Sequence, residues 1–319
     1  MKVYTSLTQL PPDFGPSAVT IGKFDGVHVG HHRMIDRMLI EAREASLVPT
    51  VLTFDRNPLS ILAPGSCPPA LISNDQKLEL LARCGLAATV MLAFDRAFSE
   101  QPPEDFVRKV LFGALNAKLV YVGPDFRFGK GGKGDMALLE ELGRVDGVEV
   151  RHIEAVEQDG RRVSSTWVRE LLAEGRVREA GQVLGRAPSV RGIVVRGARR
   201  GRMLGFPTAN LTPEAEGLVP ADGVYAAWAT VDGDRYPAAV SIGNNPTFDG
   251  VPARQVEAHI LAPDFSEIDI DLYGRTIALE FVDRIRGMEK FDGIDALVAR
   301  IATDVDDVRR ILAADGPAA

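Results

Sequence analysis

The stretch AVTIGKFDGVHVGHHRMIDRMLIEA, residues 18–42, decides the fold of the first half of the chain. Ala18 to Ile21 form a short apolar, β-rich run, and Met34, Ile35, Met38, Leu39 and Ala42 then recur on one helical face. Residues 22–32 therefore read as a loop that leaves a strand and opens a helix near His31. Gly22, Gly26 and Gly30 let the backbone approach an anion, the helix N-terminus offers open amides, and His28 and His31 add side-chain donors suited to a phosphate under attack. The GxGxxG dinucleotide pattern is absent. The residues alone leave two other readings open: solvated turn histidines, or a metal held by His28, His31 and His32, for which the loop supplies no obvious further ligand.

Working outward, short apolar runs alternate with helical-period segments, the pattern of a parallel sheet with crossover helices. Strands are predicted at Ala18 to Ile21, Val48 to Phe54, Ala88 to Phe94, Lys118 to Gly123 and Val148 to Ile153. Helices are predicted on the face of Leu78, Leu81 and Ala82 behind a cap at Ser73 or Asn74, and over Glu104 to Leu115, Met136 to Leu142 and Trp167 to Leu172. Near VLGRAPSV, residues 183–190, the rhythm changes, so domains are expected at 1–184 and 185–319. Beyond it, Arg191 to Arg196, Val224 to Val231, Tyr236 to Ile242, Val256 to Leu261 and Thr276 to Val282 read as strands, with a hairpin turn at Asp232-Gly233. The spacing predicts a small antiparallel barrel or sandwich. Ile294, Leu297, Val298, Ile301, Val305, Val308 and Leu312 predict one amphipathic helix packed on it. The expected class is thus α/β plus β: a Rossmann-like first domain and a β-barrel with a terminal helix.

The 319 residues suit two such domains. With 45% apolar and 25% charged residues the composition is that of a globular chain, which excludes disordered and collagen-like classes. A net charge of −7 gives no overall attraction to nucleic acid or anionic lipid. Cys67 and Cys84 are too few for a disulfide scaffold. The first residues carry no basic-then-apolar signal and no apolar run is long enough to span a bilayer, so a cytoplasmic location is expected. Oligomeric state is not legible.

Three further segments carry polar chemistry. In VSSTWVR, residues 163–169, Ser164, Ser165 and Thr166 fall where a helix starts and Arg169 lies one turn on, a set that suits triphosphate oxygens or equally an ordinary cap with a surface arginine. VGPDFRFGKGGKGD, residues 122–135, fails as a Walker A loop because Gly131 stands where Ser or Thr must follow Lys130; a glycine-rich loop with aromatic residues that could lie against a planar ring fits better. RGARRGRMLGFPTANL, residues 196–211, together with Arg191 brings five arginines into a glycine-punctuated stretch suited to polyphosphate, with a nucleic-acid patch as the competing reading. Pro207 then stiffens an extended segment on which Thr208 and Asn210 face one way, hard oxygen donors suited to Mg²⁺ shared with ATP. Glu257 alone could be a solvent-facing strand residue.

Taken together, these motifs resemble the bacterial bifunctional riboflavin kinase/FMN adenylyltransferase family. Residues 22–32 resemble its HxGH nucleotidyltransferase signature, which implies that Gly22, Phe24, Asp25, His28 and His31 serve nucleotide binding, with both histidines catalytic. Ser164, Ser165, Thr166 and Arg169 are implied for the nucleotide phosphates, and Asp125, Arg127, Phe128 and Asn57 for flavin. In the second half the resemblance, carried also by residues 223–226, 241–248, 256–259 and 271–274, implies Gly201, Gly205, Pro207, Thr208 and Asn210 for Mg-ATP and Glu257 for flavin, as base toward the ribityl 5′-hydroxyl. The implied substrates are riboflavin, FMN and ATP, with no nucleic-acid or membrane partner. One departure stands out: Asp55-Arg56-Asn57-Pro58 replaces the family's usual x-Pro-His-Pro after the second strand, with Arg56 expected to add positive charge near phosphates; it motivates one rival reading, a kinase whose first half only binds ligand, and a more distant rival is a non-catalytic flavin sensor.

Overall fold

Alternating apolar runs in the first half do become a parallel sheet. The computed structural model describes residues 1–197, 205–244, 254–268 and 270–315. Its contacts divide the chain into two compact units, Met1–Ser164 and Ser165–Ala319. In the first, β1 (Lys2–Tyr4), β2 (Ser17–Ile21), β3 (Val48–Phe54), β4 (Ala88–Leu92), β5 (Ala117–Val122) and β6 (Glu149–His152) form one sheet in the order β1-β4-β3-β2-β5-β6. All of its pairings are parallel. β2 and β4 are wholly buried and β3 is buried over Thr50 to Thr53, as expected where helices cover both faces of such a sheet. The three-residue β1 was not legible, being too short to show a period.

Helix α1 (Val29–Glu44) buries Met34, Ile35, Met38 and Ala42, the face the periodicity predicts. Helix α2 (Asn74–Ala82) starts on a reciprocal cap, with Ser73 Oγ accepting from the Gln76 amide at 3.1 Å and Gln76 Oε1 from the Ser73 amide at 3.0 Å. Its buried side chains are Gln76, Lys77 and Leu81, whereas Ala82 is exposed, so the expected apolar face is partly a polar one. The helix expected over Glu104 to Leu115 is a π-helix from Phe106 to Ala114 that buries Phe106, Val107, Val110 and Leu111. Helix α3 (Met136–Asp146) is capped by Asp135. A ribbon of β7 (Glu157–Gln158) and β8 (Arg161–Arg162) completes this unit.

The second unit opens with α4 (Ser165–Ala173) and α5 (Val177–Leu184), the latter unforeseen, and continues into the barrel. β9 (Ser189–Val195), β10 (Ala209–Leu211), β11 (Gly223–Val231), β12 (Asp234–Gly243), β13 (Gln255–Ile260) and β14 (Thr276–Arg286) close in the order β10-β13-β12-β11-β14-β9, every pairing antiparallel. Asp232 and Gly233, at φ 50° and 96°, make the predicted two-residue turn. Helix α6 (Ile294–Asp315) packs Val308 and Leu312 against Ala226, Ala239 and Val282. Its Asp304, 3% exposed, accepts from Arg286 Nε at 3.0 Å and Nη2 at 2.7 Å and ties the helix to β14.

Two stability outcomes follow. A Cβ at Gly134 would lie 2.4 Å from the buried ring of Phe128, so Gly134→Ala is expected to lose about 2 kcal/mol in denaturant unfolding. Asp304→Ala leaves the Arg286 guanidinium without its buried partner, and a loss of about 3 kcal/mol is expected in the same measurement.

Candidate functional sites

The strand order of the first unit runs one way from β2 through β3, β4 and β1, and the other way from β2 through β5 to β6. The reversal lies between β2 and β5, and a parallel sheet opens a crevice at the carboxyl ends of the two strands that flank such a reversal. Loop 22–32 leaves the end of β2 and the glycine-rich loop 123–135 leaves the end of β5. The two segments that the sequence singled out thus share one edge of the sheet.

Within loop 22–32, Phe24, Gly26 and Val27 all adopt positive φ, a tight path that delivers His28 to the N-cap of α1. The His28 backbone N–H donates to His31 Nδ1 at 3.2 Å. A ring nitrogen that accepts cannot carry the proton, so neutral His31 presents its N–H at Nε2. The His28 and His31 rings stack, centroids 3.7 Å apart and 15° from parallel, and Phe24, wholly buried, supports His31 at 4.9 Å. Phe24 is therefore a support beneath the histidine. A Cβ at Gly30 would meet the His28 ring at 3.2 Å, so the glycine makes room for it. His32 turns elsewhere, its Nδ1 3.6 Å from Cys84 Sγ, and among the described residues no group of three His, Cys, Asp or Glu side chains could hold a metal. Asp25 accepts the Leu71 amide at 2.8 Å, and the Gly22 amide donates to the Leu52 carbonyl at 3.2 Å.

In the glycine-rich loop, Asp125 pairs with Arg162, and Arg127 lies 3.3 Å from Asp135. Phe128 was expected at flavin but is only 6% exposed and belongs to an aromatic cluster, 5.7 Å from Phe106 and 5.3 Å from Phe126; of the loop's two rings, Phe126 is the more open. Asn57 Oδ1 takes the Leu59 amide at 3.1 Å. Arg56, expected to add charge near phosphates, is held by Asp55 at 2.8 Å and 3.1 Å. Asp55 loses stability as an anion through burial, but the Arg56 hydrogen bond and the Phe94 amide outweigh this and hold its carboxyl below the usual range. Ser164 ends the first unit, while Ser165, Thr166 and Arg169 lie on α4 in the second.

In the barrel, register does what spacing could not. Asn210 on β10 pairs with Glu257 on β13, which pairs in turn with Ser241 on β12, so the three side chains share a face. That face alternates with the one carrying Val240 and Ala258, both 0% exposed. Thr208 Oγ1 donates to Glu257 Oε2 at 3.4 Å. Asn210 Oδ1 is buried and has no hydrogen-bond partner among the described residues. A Cβ at Gly197 would stand 2.6 Å from the Asn210 amide, so that side chain needs a glycine beside it. Gly197, Thr208, Asn210, Asp271 and Tyr273 line a cavity of about 390 Å³. His259 Nδ1 donates to the Pro207 carbonyl at 2.8 Å; burial lowers its pKa against the pull of that carbonyl, so it stays neutral and fixes the chain just before Thr208.

Of the arginine cluster, the two described members find different partners. Arg191 is bound to Glu216 at 2.7 Å and Arg196 lies over the Tyr273 ring at 5.8 Å. Gly201, Arg199, Arg200 and Arg202 lie outside the described residues, as do Asn245 to Phe248, whereas Gly205 is described, at φ 85°. Sequence reasoning missed Lys77, whose ammonium is buried beside the first site; its only signal was a lysine on a helical face that also carries Leu81.

A sequence model of FAD synthetase matches residues 11–167 and one of riboflavin kinase matches residues 184–312. The chain is 35% identical to the bifunctional riboflavin kinase/FMN adenylyltransferase of Escherichia coli over 98% of its own length and 97% of that protein's. To the Bacillus subtilis protein of the same description it is 33% identical, over 92% of each. A crystal structure from Streptococcus pneumoniae described as a macrolide-efflux protein superposes with a TM-score of 0.85 at 31% identity, covering 96% of this chain and 98% of that one. Among the described residues no helix is long and apolar enough to cross a membrane. Full-length identity at this level, with a match to each half in the right order, means that the chain belongs to the bifunctional riboflavin kinase/FMN adenylyltransferase family.

Proposed function

We propose that the chain makes FAD in two steps, riboflavin phosphorylation by residues 185–319 and FMN adenylylation by residues 1–184, in the cytoplasm. The observation that carries the kinase reading is the cross-strand pair of Asn210 and Glu257, with Thr208 bonded to the carboxylate. A buried amide oxygen without a partner, a hydroxyl and a carboxylate are hard oxygen donors, a set that fits Mg²⁺ arriving with ATP. Thr208 and Asn210 would hold the ion, which supplies charge neutralisation of the phosphates. Glu257 takes the proton of the ribityl 5′-hydroxyl as that oxygen bonds to the γ-phosphorus and ADP leaves, giving FMN. Pro207, held by His259, and Gly205 shape the chain that lies along the nucleotide.

In the first half an oxygen of the FMN phosphate attacks the α-phosphorus of a second ATP, the bond to pyrophosphate breaks, and FAD forms. A phosphate is already a competent nucleophile, so the protein's task is positioning and charge. His31 donates through Nε2 and His28 stacks on it at the opening of α1, where the helix's free amides add to the positive field. Ser164, Ser165, Thr166 and Arg169 steer the triphosphate, and Asp125, Arg127 and Asn57 bound the flavin side. Asn57 keeps a donor in its Nδ2, so loss of the family's histidine alters affinity or rate and leaves transfer intact.

Product chromatography tests each part. With the unaltered protein, FMN and ATP are expected to give FAD, and no turnover above background would leave only the kinase. Glu257→Gln is expected to cut FMN formation at least about 100-fold while sparing FAD formation from supplied FMN, and His31→Ala to do the reverse. Loss of both products in either variant would contradict the division. Gly197→Ala, which displaces the Asn210 amide, is expected to slow only the kinase step, by about tenfold.

A further inference from the structure

We propose that Lys77 is a positioning residue of the adenylyl-transfer site, the fixed internal counter-cation for the two carboxylates, Asp25 and Asp55, that stand at the ends of β2 and β3. Lys77 is 6% exposed, and its Nζ donates to the carbonyl of Phe54, the last residue of β3, at 2.9 Å. A lysine is rarely buried to this extent without charge partners. Burial pushes its pKa down, and the carboxylates of Asp25 and Asp55 oppose that push. Arg56 is a second cation at this cluster among the described residues, but it is more than half open to solvent and is engaged with Asp55.

The surrounding bonds show what Lys77 holds. Asp25 lies in the loop that carries the two histidines and accepts the Leu71 amide at 2.8 Å. Asp55 accepts the Phe94 amide at 2.9 Å, and its own carbonyl accepts Asn74 Nδ2 at 2.7 Å. Thr53 Oγ1 donates to the Lys23 carbonyl at 3.2 Å, tying β3 to the same loop. Asn74 and Lys77, one turn apart on α2, therefore grip consecutive carbonyls, those of Asp55 and Phe54, from one side. This edge must receive a triphosphate and a phosphate monoester. Two carboxylates there without an internal cation would repel both, and a buried cation cancels them without competing for the ligand as a surface lysine would.

The inference rests on the adenylyl-transfer reading, so the experiment measures that reaction and the kinase reaction in the same preparations of the full chain. Lys77→Met removes the charge and the donor, and Lys77→Gln removes the charge but retains a donor for the Phe54 carbonyl. Both are expected to raise KM for ATP in FAD formation about tenfold with a smaller change in kcat, and to leave FMN formation from riboflavin within twofold. Adding Asp55→Asn to Lys77→Met removes one of the cluster's two negative charges and is expected to recover most of the KM. An unchanged KM in both single variants, restoration by Gln alone, or failure of Asp55→Asn to recover the Met variant would overturn the role as counter-cation. Thermal unfolding of each variant identifies a folding defect, and if Met unfolds, the Gln variant alone decides. Absence of FAD formation in the unaltered protein would instead remove the adenylyl-transfer reading itself.

Discussion

Both proposed sites depend on a polar side chain held at the end or face of a sheet by groups that leave it one orientation. In the first unit the constraint is the His28 amide bonded to His31 Nδ1: it sets the tautomer of the neutral ring, which stacks on His28. That bond forms where the loop, after passing through positive φ at Phe24, Gly26 and Val27, arrives at the first turn of a helix, where backbone amides have no internal acceptor. The parallel sheet then determines what lies opposite, since β5 pairs with β2 and its following loop emerges at the same edge.

The barrel reaches a similar end by antiparallel register. Three residues of β10 are enough to bring Asn210 opposite Glu257, and the missing Cβ of Gly197 lets the amide lie flat against the backbone. Leaving an amide oxygen buried and without a partner among the described residues costs about 1–3 kcal/mol, a cost that a ligand or its bound cation can offset. His259 contributes by staying neutral: a charged imidazole in the same burial would demand a counter-ion, whereas the neutral ring needs only the Pro207 carbonyl.

Departures from expectation have identifiable physical causes. Phe24 and Phe128, which the resemblance implies for nucleotide and flavin, are both buried, packed against His31 and against Phe106 and Phe126, because motifs record residue identity without burial. Arg191 and Arg196 are five positions apart and looked like one patch, but they find different partners in Glu216 and Tyr273. The π-helix from Phe106 to Ala114 places its buried side chains much as the predicted α-helix would, which is why periodicity could not distinguish them.

Much was legible from the sequence alone: the strand, loop and helix at residues 18–42, the turn at Asp232-Gly233, the two-part organisation and the motifs of each half, because hydrophobic period and turn chemistry are local properties. The tertiary structure decided the rest. Which strands adjoin, that Asn210 faces Glu257, that His32 leaves the other histidines for Cys84, and that Lys77 is buried against the carbonyl of Phe54 all depend on contacts between residues distant in the chain. Such contacts are set by register and packing, which no local pattern encodes.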